Sequence, residues 1–212
     1  MNKIFLSSLF AFLAGSVQAD LVILQKVESQ NVTGDSVTKC KGDKVRIDMP
    51  VQGGGSVSVL MDMKSGETVT LLHSQRKAMK ATLDESRKVS ELQHKLAFPK
   101  SELPKATGRK EKIGDWNCEV YEGDFGGMRG KLWVTKDSFS KGIIEQMNHM
   151  NTIISLGRGW DPSKVVLDGL TVKTEMATPA GKMTTLIVKI SEEVVADSEF
   201  VIPAAYNLIN KP

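Results

Sequence analysis

Lys44-Val45-Arg46-Ile47-Asp48-Met49 sets the architecture of this chain. Val45, Ile47 and Met49 alternate with Arg46 and Asp48. A two-residue repeat puts apolar side chains on one face of a strand and polar ones on the other. The pattern spreads outward. Upstream, Lys41-Gly42-Asp43 is a turn preceded by Ser36 to Cys40. Downstream, Gln52-Gly53-Gly54-Gly55 breaks the chain, and Ser56 to Met63 alternates again with Val57, Val59 and Met61 on one face. Lys64-Ser65-Gly66-Glu67 turns into Thr68 to His73, and Lys77 to Leu83 closes the run. With Leu21 to Glu28 in front, these short strands and turns predict an antiparallel meander.

The pattern then changes. Val89, Leu92 and Leu96 keep helical spacing, so Asp84 to Leu96 is expected to be a short amphipathic helix capped by Asp84. Strands resume at Lys110 to Ile113, Asn117 to Glu122 and Lys131 to Thr135. A second helix is expected from Asp137 or Ser138 to about Leu156, stopped by Gly157, with Ile143, Met147, Met150 and Ile154 on one face. Gly169 to Ala177, Lys182 to Glu192 and a piece near Phe200 to Ile202 finish the sheet, with Thr178-Pro179-Ala180-Gly181 as a hairpin. The order strands, helix, strands, helix, strands predicts an α+β fold. A sheet this long is expected to curl into an open half-barrel, its two helices covering the concave face.

The first nineteen residues have the layout of a secretory signal peptide: Lys3, an apolar run from Ile4 to Ala14, then Val17-Gln18-Ala19 before Asp20. That run is too short to span a bilayer. Asp20 in place of Cys argues against a lipid anchor at the cut. The expected organisation is a signal peptide over 1–19 and a single domain over 20–212, placed in the periplasm. Removing 19 residues from 212 leaves 193, enough for one domain with a real core. The formal charge falls from +3 to +2, because the leader carries one Lys and no acid. Acids are interspersed with bases, as in Arg109-Lys110-Glu111-Lys112, so no basic stripe suits a nucleic acid.

Cys40 and Cys118 are the two cysteines. In an oxidising compartment a disulfide between them is expected, contributing roughly 4 kcal/mol in the chain-entropy model. Two buried, unpaired thiols are the competing reading. His73, His94 and His149 lie far apart in sequence. Met147, His149 and Met150 could suggest a soft metal. Both methionines lie on the apolar helix face, however, and His149 does not, so core packing is the better reading and no metal or cofactor is expected. No nucleophile elbow, zinc helix or phosphate loop occurs. Asp84-Glu85 and Glu192-Glu193 fit a helix start and a strand edge, so no enzyme is expected.

Several stretches resemble one family: Lys44 to Asp48 followed by Ser56 to Gly66, Ile113 to Tyr121, Lys131 to Asp137, Gly169 to Thr174 and Phe200 to Tyr206. They are similar to the bacterial exported domain of unknown function 4412, itself similar to the LolA and LppX lipoprotein-carrier fold. The resemblance runs from about Gly42 to Tyr206. Asp115-Trp116 and the lengthened Gly53-Gly54-Gly55 turn depart from it. It implies a half-barrel with helices in its mouth and carries over no catalytic residue. In such a fold Trp133, Met147, Met150 and Ile154 would line a cavity for a lipid or other hydrophobic small molecule. The alternative is a filled core in a structural or partner-binding protein of the cell envelope.

Overall fold

The computed structural model describes residues 20–82, 104–124, 128–137, 143, 147, 167, 169–178 and 181–210. These form one sheet of twelve strands. They are β1 (Asp20–Ser29), β2 (Thr33–Lys41), β3 (Lys44–Pro50), β4 (Ser56–Asp62), β5 (Glu67–Leu72), β6 (Lys77–Thr82), β7 (Lys105–Ile113), β8 (Trp116–Asp124), β9 (Arg129–Thr135), β10 (Leu170–Thr178), β11 (Gly181–Glu193) and β12 (Asn207–Asn210). The order across the sheet is β12-β6-β5-β4-β3-β2-β1-β11-β10-β9-β8-β7.

Two antiparallel meanders, β1 to β6 and β7 to β11, are therefore laid edge to edge. Their seam is the β1–β11 pair, which runs from Asp20↔Glu193 to Ser29↔Met183 with a bulge at Leu24/Gln25. The chain then returns across the first meander, and β12 adds to β6 as the one parallel pair among the described residues.

The expected hairpins close as their sequences require. Lys41 pairs with Lys44 around Gly42, at φ +55°, and Ile113 pairs with Trp116 around Gly114, at φ +58°. A glycine at the first position of a two-residue loop supplies the positive φ at no steric cost.

Residues directly opposite each other in antiparallel strands share a face. The row Leu21–Cys40–Val45–Met61 lies on one face and is buried, continuing the alternation that begins at Val45. It belongs to the main core, with Ile23, Cys118, Val120, Trp133, Leu170, Val172, Ile187 and Met147. A smaller core of Leu60, Val69, Leu71 and Ala78 occupies the other face under Ile202 and Tyr206. At roughly 1.5–3 kcal/mol per fully buried aliphatic side chain, this second core is a substantial share of the stability of that half.

The expected α+β class is thereby corrected. The described residues make one open, twelve-stranded sheet, and no pair of helices covers it among them. The second face of the first meander is covered by the chain's own returning segment. Asp84 to Leu96 lies outside the described residues. Of the second expected helix, only Ile143 and Met147 are described, both helical. Phe200 to Ile202 is not a strand: a 3-10 turn runs through Asp197–Phe200, and the closing strand comes later, at β12. The expected leader, 1–19, also lies outside the described residues.

Candidate functional site

The most organised polar constellation lies on the face of the smaller core. Asp48 on β3 and Ser58 on β4 are directly opposite, so their side chains meet. Arg46, two residues before Asp48, shares that face and donates from Nε to both Asp48 oxygens at 2.9 and 3.0 Å. Ser58 Oγ donates to Asp48 Oδ1. His73 follows the end of β5 and opens a 3-10 turn closed by Arg76 at φ +48°. This turn places its Nε2 2.6 Å from Ser58 Oγ and its Nδ1 2.6 Å from the Tyr206 hydroxyl. The two rings meet edge to face at 88°.

The donors can be ordered from the acid outward. Ionised Asp48 only accepts, so Ser58 spends its proton there and must accept from His73 Nε2–H. With its proton on Nε2, the imidazole accepts at Nδ1 from Tyr206 O–H. The chain runs one way: Tyr206, His73, Ser58, Asp48.

The set contains a serine, a histidine and an acid, but it is not arranged for nucleophilic catalysis. A catalytic imidazole stands between the acid and the nucleophile. Here Ser58 stands between Asp48 and the imidazole, and it is 0 % exposed. The array instead satisfies buried polar groups where the returning segment docks. Sequence reasoning placed His73 at a strand end and missed this role. Its partner Tyr206 is 133 residues away, so no local pattern signals the contact.

Next to this array lies a block of four cations. Lys39 is opposite Arg46 and Lys41 is opposite Lys44, two like-charged cross-strand pairs. Such pairs are destabilising without counter-charge. The returning segment supplies it. Glu199 pairs with Lys39 at 3.0 Å and Arg46 at 3.2 Å, and Asp197 pairs with Lys41 at 3.0 Å. Lys41 Nζ also donates to the Val195 carbonyl at 2.7 Å, and Val195 N–H donates to Asp20 Oδ2 at 2.9 Å. The Lys41 ammonium beside Asp197 holds its carboxyl below the usual range.

The expected cavity residues divide. Trp133 and Met147 are both buried and lie in the same apolar core. Met150 and Ile154 lie outside the described residues, as do His94 and His149. Trp133 is tied down on two sides: Nε1 donates to Glu111 Oε2 at 2.7 Å, and Lys173 Nζ sits 4.2 Å from the ring centroid. Leu132, Trp133, Val134 and Thr135 are all buried, so both faces of β9 are covered.

The expected disulfide is corrected. Cys40 and Cys118 are free, buried thiols. Four strands separate β2 from β8, and the cross-strand neighbours are Leu21 and Val45 for Cys40, and Glu111 and Thr135 for Cys118. Burial pushes the Cys40 thiol up to about 12; burial and nearby Asp137 also raise that of Cys118.

A concavity of about 770 Å³ opens at the far ends of β8 to β11, lined by Glu122, Asp124, Arg129, Lys131, Glu175 and Lys182 among others. Its two glutamates are already partnered: Glu122 by Lys131 and Arg109, Glu175 by Lys173 and Lys182. Among the described residues no group of three or more His, Cys, Asp or Glu gathers to hold a metal. Nor is any helix among them long and apolar enough to cross a membrane.

No protein of curated function matches the chain in sequence. Among solved structures, it is similar to PNGF-II at 13 % identity and a TM-score of 0.46, covering 91 % of this chain and 32 % of that one. The chain thus spans about a third of the PNGF-II chain it matches. It is similar to the Mycobacterium tuberculosis lipoprotein LppX at 9 % identity and a TM-score of 0.45, covering 83 % of this chain and 89 % of that one. A putative outer membrane lipoprotein-sorting protein domain from Vibrio parahaemolyticus is similar at 11 % identity and a TM-score of 0.30, covering 87 % of this chain and 90 % of that one. The family model for DUF4412, a domain of unknown function, matches residues 22–206. The motifs around Lys44, Cys118, Trp133 and Leu170 thus sit in a match that takes in most of the sheet, and the chain belongs to the DUF4412 family.

Proposed function

We propose that this protein is an exported, non-enzymatic binding protein of the cell envelope, a single domain over 20–212, that holds a hydrophobic ligand such as an acyl chain or lipid. The observation that carries the reading is the meeting of Trp133 and Met147 in one apolar core on the sheet. An aromatic ring and a compliant thioether suit a chain of variable shape. Met150 and Ile154, at helical spacing from Met147, would extend that lining. The leader-like first nineteen residues supply the route to the periplasm. The serine, histidine and aspartate array is not in catalytic order and serves the docking of the returning segment.

A second reading has its own support. The core residues are almost wholly buried, Val45 and Val120 completely, as in a filled interior. The protein would then be a structural or partner-binding envelope component.

Native mass spectrometry of protein purified from the periplasm, followed by organic extraction, separates the two. A bound mass of lipid size supports a carrier and identifies its cargo. A clean mass at the processed length overturns the carrier reading and favours the filled core.

A further inference from the structure

The two edges of the sheet are unlike. β7 is exposed along nearly its whole length and carries Lys105, Arg109, Lys110, Glu111 and Lys112, with a register shift between Ala106 and Lys110. Charge and irregularity of this kind deter strand addition. β12, at the other edge, reads Asn207-Leu208-Ile209-Asn210 and carries no charge. Leu208 is 49 % exposed, Ile209 38 %, and Met79, opposite Ile209 on β6, 39 %. Ile209 and Met79 share one face of this edge and Leu208 lies on the other, so both faces of the edge present an exposed apolar side chain.

The backbone of β12 fixes what could dock there. Asn207 N–H donates inward to the Arg76 carbonyl at 2.9 Å. Peptide groups alternate direction along a strand, so Ile209 also bonds toward β6, while Leu208 and Asn210 turn their N–H and C=O outward.

We propose that this edge pairs with the same edge of a second copy, antiparallel, across a two-fold axis through Ile209. In that register Leu208 of each copy faces the partner's Asn210 as a hydrogen-bonded pair, giving four inter-chain bonds. Ile209 meets the partner's Ile209 at the non-hydrogen-bonded position, where side chains come closest, flanked by Met79 from both copies. An uncharged edge is compatible with its own copy, because no like charges oppose each other. Pairing β7 with itself would bring lysines together, and pairing β7 with β12 would be head-to-tail and would not close. Lys80, one strand in, is already paired with Glu67 at 3.0 Å. The contact is far smaller than that of a stable dimer, so association is weak and rises with concentration.

Sedimentation of the full chain from micromolar to millimolar concentration tests this. The wild type is expected to shift toward dimer, and Ile209→Lys to raise the dissociation constant at least tenfold (about 1.4 kcal/mol) without loss of melting temperature, since the site is exposed. A wild type that stays monomeric, or an Ile209→Lys variant that associates like the wild type, overturns the proposal. Ile209→Cys gives a second readout. With oxidised glutathione as oxidant it should form an inter-chain disulfide much faster than Val194→Cys, which exposes a thiol away from the axis. Equal rates overturn the proposal.

Discussion

The Tyr206 hydroxyl lies 2.6 Å from Nδ1 of His73, fastening the returning segment to the turn between β5 and β6. Tyr206 also packs on Leu60, Val69, Leu71 and Ala78, so the bond and the apolar contact can be separated by mutation. Tyr206→Phe keeps the packing and removes the donor. It should cost about 1 kcal/mol, a fall in Tm of roughly 2–4 °C. Amide exchange in β12 should quicken. An unchanged Tm together with unchanged β12 exchange would refute the latch.

Ser58 sits inside the same array with more to lose. Ser58→Ala leaves Asp48 Oδ1 short of one donor and His73 Nε2–H facing a methyl group in a buried site. The expected cost is about 1–3 kcal/mol, larger than that of Tyr206→Phe. The double variant should be less destabilised than the sum of the two, because both act on one chain of hydrogen bonds. Strict additivity in denaturant titrations would show that the two contacts are independent.

Gly169 enters β10 at φ +142°, and a Cβ built there would run into the Thr135 carbonyl oxygen. Neither the backbone conformation nor the space admits a side chain. Gly169→Ala should destabilise by at least about 2 kcal/mol through strain and displacement of the β9–β10 start. Gly53→Ala makes the comparison, since a Cβ there meets nothing within 4 Å and only the positive φ acts. Equal effects at the two sites would refute the steric account.

Acid should loosen the returning segment. A hydrogen bond from Lys41 and its charge hold the Asp197 carboxyl below its ordinary value; a Lys131 hydrogen bond does the same for Glu122, and the Ser65 N–H for Asp62. A depressed carboxylate pKa contributes stability above the unfolded value, and that stability is lost as pH falls through the folded value. Stability should therefore hold at neutral pH and decline below the ordinary carboxylate range. Asp197→Asn should flatten that decline slightly, the group being exposed. A Tm that rises on acidification would contradict the sign.

The two thiols give a direct chemical check. Burial raises both, Cys40 to about 12, so neither supplies thiolate at neutral pH. Folded protein purified without reductant should not react with a thiol-specific dye, and two thiols should appear on unfolding. No thiol on unfolding would mean a bridge that the strand register does not accommodate.

The first meander was legible because each strand alternates over several residues and each turn carries its glycine or polar signal. Val45, Ile47, Gly42 and the Lys64 to Glu67 turn all fall where their chemistry puts them. The Leu132-Trp133-Val134 run was legible as an apolar strand, though a strand buried on both faces carries no alternation to say which way each side chain points. β12 was not legible: four residues hold too little periodicity, and its parallel partner is remote in sequence. The array of Asp48, Ser58, His73 and Tyr206 escaped for the same reason, since side chains from four separate segments meet only once the sheet is assembled. The like-charged pairs of Lys39, Lys41, Lys44 and Arg46 could have been found from the β2–β3 register alone, as a demand for acids that Asp197 and Glu199 meet.

The seam between β1 and β11 also governs the order in which the molecule can be made. A chain delivered amino end first presents β1 at the outset, with one side satisfied by β2 and the other left bare. That bare side waits until about residue 193 has arrived, and the clasp at Tyr206 waits longer still. Throughout delivery, the middle of the finished sheet is an open rim carrying Leu21, Ile23 and Val27. A nascent chain of this design needs either rapid passage or an escort, and a truncation before β11 should leave a sticky half-sheet rather than a smaller stable protein.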